Sequence, residues 1–222
     1  FMESGLYLPV NSPKVENSRQ DFDPIDKFLW PNMRFGVSYN AGPWFEPARY
    51  LTDYFTDEAV NAIKDNKNRP FFLYLAHWGV HTPLQASKED YDALPQIKDH
   101  RQRVYAAMIR SIDRSVGRVM QTLREEGLDE NTLVIFTSDN GAWFGGSGGG
   151  LRGMKGTNYE GGYRVPMIAR WPGKIPAGHV SHELGVMMDL FATVLHVTGA
   201  KLPDDRVLDG RNILPLLTSA AK

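Results

Sequence analysis

The chain has 222 residues, 42% of them apolar, no cysteine and a net charge of −1. That is material for one α/β domain with a sizeable core, and it excludes disulfides and thiolate metal sites. No block of like charge points to a nucleic-acid partner or an acidic tail, and no apolar run is long enough to span a bilayer. The opening FMESGLYLPVNSP has no basic region followed by an apolar stretch, so no signal peptide is visible. The first strong strand signal comes only near residue 70, which reads as a fragment whose beginning lies upstream.

Residues 1–50 are rich in proline and aromatics without periodicity, and predict irregular structure packed on a body; residues 51–222 carry the regular elements. Tyr54, Phe55, Ala59, Ala62 and Ile63 recur at helical spacing, predicting an amphipathic helix from Thr52 to Asn66. Pro70 introduces FFLYLA (71–76), a continuous apolar run of the kind found in a strand covered on both faces. The loop HWGVHTP (77–83) follows, and Ser87-Lys88-Glu89-Asp90 has the form of a helix cap. A long helix is predicted from His100 to Glu126, with Val104, Met108, Ile112, Val116, Val119 and Leu123 as its stripe and Gly127 as its stop. Its arginines (101, 103, 110, 114, 118 and 124) are interrupted by apolar positions and Asp113, so a solvated face is the better reading than a nucleic-acid stripe. Leu133 to Phe136 reads as a buried strand, Val165 to Trp171 as a further apolar segment, and Met187 to Val197 as a helix stopped by Gly199. The tail from Leu202 to Leu217 is proline-punctuated and reads as irregular. Strands alternating with helices imply a largely parallel sheet with helices on its faces.

The chemistry-bearing residues gather around the strand at 133–136. Asp139 and Asn140 at its end offer hard oxygen donors that suit Ca²⁺ or Mg²⁺ better than zinc, although Ser138-Asp139-Asn140-Gly141 also has the composition of an ordinary turn. Lys155 lies in a glycine-rich loop, where it either neutralises an anionic substrate or is a solvated surface charge. Gly148-x-Gly150-x-x-Gly153 matches the dinucleotide fingerprint literally, but no apolar helical pattern follows it. Lys155 is flanked by Met154 and Gly156, which excludes a phosphate loop. His81 is either a proton donor or anion ligand at a strand end, or a histidine merely hydrogen-bonded in its loop; His77 is a possible pocket residue. Trp143 and Phe144 either line a substrate pocket or pack on the core.

In order along the chain, FFLYLAHWGVHTP, the long helix ending at Gly127-Leu128, TLVIFTSDNG, LRGMKGTNYEGGYRVP and ARWPGKIPAG together resemble the sulfatase family. The tail, with SHELGVMMDLFATVLHVTGA and LDGRNILPLL, is most similar to its arylsulfatases and N-acetylgalactosamine-6-sulfatases. The resemblance implies an alkaline-phosphatase-like α/β fold, here incomplete, with a mostly parallel sheet sandwiched by helices. It also implies hydrolysis of a sulfated carbohydrate or aryl sulfate, with Ca²⁺ favoured over Mg²⁺ as the metal. Asp139 and Asn140 then match calcium ligands, Lys155 the lysine that contacts the sulfate oxygens, and His81 the histidine near the scissile ester oxygen.

The departure from the family is specific. Sulfatases use a formylglycine made from the first residue of Cys/Ser-x-Pro-x-Arg, and these 222 residues contain no such motif. The paired aspartates that usually begin a sulfatase and its Gly-Lys-x-His segment are not found either. The chain therefore reads as the middle and later part of a catalytic domain, needing an N-terminal half for a complete site and inactive without it. A phosphate or phosphonate ester hydrolase of the same superfamily, or a truncated non-catalytic homologue, are the other readings. Family habit is periplasmic, secreted or lysosomal.

Overall fold

The structure is a computed structural model describing residues 2–5, 36–47, 49–82, 84–143 and 145–218. It divides into two compact units, one ending at Glu126 and the other beginning at Gly127. Pro9, Pro13, Pro24, Trp30 and Pro31, on which much of the irregular-structure expectation rested, lie outside the described residues, as do Pro83 and Phe144.

In the first unit, β1 (Met2–Gly5) and β2 (Gly36–Tyr39) pair antiparallel, with Met2 opposite Tyr39. The first fifty residues are thus not wholly irregular. After β2 the chain reverses at Asn40-Ala41, both with positive φ (51° and 57°), and Gly42 N–H donates to Tyr39 O at 2.9 Å. This is hairpin-turn chemistry. It returns Phe45 to bridge Val37, whose side chain is fully buried.

Helix α1 runs from Leu51 to Asp65, α2 from Lys88 to Asp92, and α3 from His100 to Glu125, each close to the bounds its periodicity or cap predicts. The α1 stripe of Leu51, Phe55, Ala59 and Ile63 is buried, as are Val104, Ala107, Met108 and Leu123 of α3. Ser111 and Ser115 are buried on α3 as well, so its inner face is partly polar, and Thr56 of α1 meets Ser115 at 2.6 Å between hydroxyl oxygens. Several α3 arginines keep the solvated exposure expected of them, 34–50%, and also make ion pairs to neighbouring helices. Arg114 reaches Asp53 at 2.9 Å and also Asp90, Arg110 reaches Asp90 at 3.1 Å, and Arg118 reaches Asp57 at 2.7 Å. Asp90 is fully buried and also accepts from the Ser87 hydroxyl at 2.7 Å, so α2 is tied to α3 through a carboxylate with several donors.

Phe71–Ala76 does not form the expected strand, and Phe72 and Tyr74 are 75% and 79% exposed. Leu75 instead packs with Trp78 against Val37, Leu51 and Phe55. An apolar run specifies burial; without a partner strand among the described residues it makes no ladder.

In the second unit, β3 (Val134–Thr137) pairs with β4 (Met167–Arg170), Val134 lying opposite Arg170. The pairing is antiparallel, where a parallel sheet was expected. A parallel crossover needs an element that carries the chain back along the strand. Here the connection is a glycine-rich loop and α4 (Glu160–Tyr163), a single turn, so the chain simply reverses. The strands are half covered, with Ile168 62% exposed. Helix α5 (Met187–Thr198) ends at Gly199 in the left-handed conformation, φ 71°. Buried Asp189 accepts from Val186 N–H and Arg211 N–H, both at 2.8 Å, pinning the tail to α5. The tail then forms α6 (Leu214–Thr218), a short helix where irregular chain was expected. Among the described residues no helix is long and apolar enough to cross a membrane.

Candidate active site

Strand β3 ends two residues before Asp139, and the Asn140 side-chain amide donates to Asp139 Oδ1 at 2.7 Å. This contact leaves Asp139 Oδ2 and Asn140 Oδ1 available as acceptors, with Asp139 exposed. The next residues return the lysine to the same place. Gly141 N–H donates to Gly162 O at 2.9 Å, and Lys155 N–H donates to Ala142 O, also at 2.9 Å. These two backbone bonds clamp the segment after β3 to the segment before β4. Asp139, Asn140 and Lys155 are therefore brought into one loop structure of the second unit.

The clamp depends on a missing side chain. A Cβ on Gly141 would lie 1.9 Å from Gly161 O, far inside van der Waals contact. Trp143 lies beside the same turn, its ring 4.0 Å from where a Gly156 Cβ would stand, and it is 42% exposed.

Asp139 and Asn140 supply oxygen donors only, which fits part of the shell of a hard cation such as Ca²⁺. That cation takes about six to eight oxygens. No group of three or more His, Cys, Asp or Glu side chains that could hold a metal occurs among the described residues. The pair fits one side of a calcium shell.

The two histidines of the first unit have different surroundings. His81 is exposed; its Nδ1 lies 2.7 Å from Thr82 O, which can only accept, so Nδ1 carries the hydrogen and Nε2 remains for exchange. Its ring meets Trp78 edge-on at 5.6 Å, and its amide donates to Trp78 O at 3.0 Å. His77 is largely buried, with Nε2 2.9 Å from the Ser115 hydroxyl and Nδ1 lacking a hydrogen-bond partner.

Burial lowers the His77 pKa to about 4, against a weaker upward pull from Asp53. Its folded value lies below its unfolded one, so between the two the unfolded chain binds the extra proton and stability falls as pH falls. From pH 7 to pH 5 the expected loss is about 2 kcal/mol. Thermal unfolding of the wild type and His77→Gln over that range measures it; equal pH slopes would refute it.

Sequence reasoning did not single out the hydroxyl of Thr157, which holds Met154 beside the lysine, nor the guanidinium of Arg152, which lies 3.8 Å over the Tyr159 ring. A threonine three residues after Met154 in a glycine-rich turn was the available signal.

Fold and loop together define an alkaline-phosphatase-like α/β protein with an oxygen-donor pair and a lysine at a strand end. The Sulfatase family profile matches residues 10–200, and the chain belongs to that family. It is 44% identical over 175 residues to N-acetylgalactosamine-6-sulfatase of Canis lupus familiaris, covering 75% of this chain and 32% of that protein. It is 41% identical over 232 aligned positions to steryl-sulfatase of Mus musculus, covering 97% of this chain and 34% of that protein. Among solved structures it resembles Ps i-CgsB in complex with k-i-k-neocarrahexaose, with a TM-score of 0.78 and 38% identity over 81% of this chain and 41% of that one. The chain spans about a third of the length of these curated relatives.

Proposed function

We propose that this chain is the middle and later part of an enzyme that hydrolyses sulfate monoesters, either sulfated carbohydrates or aryl sulfates. The observation that carries the reading is the clamp of Gly141 to Gly162 and of Lys155 to Ala142, which brings an oxygen-donor pair and an ammonium into one loop. Asp139 and Asn140 hold part of a calcium shell; bound there, the ion supplies positive charge beside the sulfate oxygens. Lys155 binds the sulfate oxygens and orients sulfur for attack. Cleavage of the S–O bond moves negative charge onto the ester oxygen, and His81, the acid by family resemblance, gives it the Nε2 hydrogen of a ring protonated on both nitrogens while Nδ1–H stays on Thr82 O. The nucleophile, a formylglycine by family resemblance, comes from the N-terminal part of the enzyme. Exposed Phe72, Tyr74, Ile168 and Phe191 support the reading that further chain covers these units in the whole protein.

The test is the turnover of 4-nitrophenyl sulfate and 4-nitrophenyl phosphate by the whole enzyme, before and after chelation. The sulfate should be the better substrate, and Ca²⁺ should restore activity better than Mg²⁺. A preference for phosphate would replace this reading with a phosphate ester hydrolase; a folded whole enzyme inert to both would leave a non-catalytic homologue.

A further inference from the structure

Resting on the proposed sulfate contact at Lys155, we propose that Thr157 is the positioning residue that aims this lysine. The peptide joining Met154 to Lys155 is held at both ends. Its carbonyl oxygen accepts from Thr157 N–H at 3.0 Å and from the Thr157 hydroxyl at 2.7 Å, while its N–H donates to Ala142 O at 2.9 Å. Thr157 Oγ1 also accepts from Met154 N–H at 3.1 Å, so one hydroxyl serves both backbone groups of Met154. A peptide plane bonded on both sides cannot rock, and the lysine side chain departs from a fixed base. No hydrogen bond or ion pair engages the Lys155 ammonium among the described residues, so it is available to an anion.

The residues around Thr157 are shaped to let it approach. A Cβ on Gly153, which has φ +87°, would lie 2.5 Å from Thr157 Oγ1 and 2.7 Å from Tyr159 Cβ. Arg152 closes the turn from outside: its guanidinium stacks on Tyr159 and donates to the phenol oxygen at 2.7 Å, and its carbonyl accepts from Gly161 N–H at 2.8 Å. Since the Thr157 hydroxyl proton is committed to Met154 O, the residue acts on sulfate through Lys155 rather than by contact. Fixing the backbone leaves only the lysine rotamers to be ordered when the anion binds, which is how positioning lowers a barrier.

A double-mutant cycle in the whole enzyme tests this with kcat/KM for an aryl sulfate. Thr157→Val should lower it about tenfold to a hundredfold, and Thr157→Ser, which keeps the hydroxyl, should stay within about threefold of wild type. In a Lys155→Ala background the Thr157→Val effect should shrink to less than about twofold. Equal losses in both backgrounds, or a folded Thr157→Ser enzyme as impaired as the valine variant, would overturn the proposal alone. If Lys155→Ala leaves turnover unchanged, the sulfate reading itself falls and the proposal with it. Should thermal unfolding show that Thr157→Val does not fold, Thr157→Ala takes its place in the cycle, being smaller than the native side chain.

Discussion

Lys155→Ala is expected to lower kcat/KM for sulfate ester hydrolysis by about a hundredfold to a thousandfold, the usual loss when one charge-stabilising donor is removed from an active site. The sulfate oxygens are already charged in the ground state, so part of this loss should appear as a higher KM; the rest should appear in kcat, as charge redistributes around sulfur. The expected size follows from the loop. Lys155 approaches from a backbone held by Ala142, and its ammonium has no internal partner among the described residues to compete with substrate. An exposed lysine on a loose loop would give only a small change, because its charge would be screened by water and its ordering would oppose binding. Steady-state kinetics on an aryl sulfate, with Lys155→Arg alongside, separates the cases. Arginine keeps the charge but spreads it over a wider fork, so partial retention is expected. A Lys155→Ala enzyme within about threefold of wild type would contradict the role assigned to this residue.

What could be read from the sequence depended on whether the cause was local. Helices α1, α3 and α5 lie within a residue or two of their predicted bounds, because a stripe at helical spacing and a stop such as Gly199 are properties of one segment. The Ser87 cap was legible for the same reason, its hydroxyl accepting from Asp90 N–H at 3.1 Å. Phe71–Ala76 was misread and the antiparallel β3–β4 pairing was not foreseen, because strand formation and direction depend on a distant partner, which an apolar run does not name. In the candidate site, Asp139, Asn140 and Lys155 were singled out through residue type and motif order. The parts that join them were not: the exposed Asp139 is visible as a residue type, whereas the approach of Gly141 to Gly161 exists only once residues far apart in the chain have met. His77 and His81 look alike as letters, but one is half-buried against the Ser115 hydroxyl on α3 while the other stays exposed.

Gly141→Ala is the second large effect expected, and its cause is steric. The added methyl would fall 1.9 Å from Gly161 O and within 3 Å of two further backbone carbons, so backbone on one side must retreat rather than a flexible side-chain tip. Moving it breaks the Gly141–Gly162 bond and strains the Lys155–Ala142 bond one residue further on. Asn140 immediately precedes the clash, so the oxygen-donor pair and the lysine are displaced together. Overpacking plus a lost buried hydrogen bond puts the expected destabilisation at about 3 kcal/mol, and a displacement of order 1 Å at the site puts the fall in kcat/KM at about a hundredfold or more. Gly148→Ala in the same loop is the control. Its Cβ would find nothing nearer than 3.6 Å and its φ is not positive, so melting temperature and turnover should stay near wild type. Equal effects at the two positions would mean that the loop tolerates or rejects alanine generally, and that the contact at Gly141 does not hold the site together.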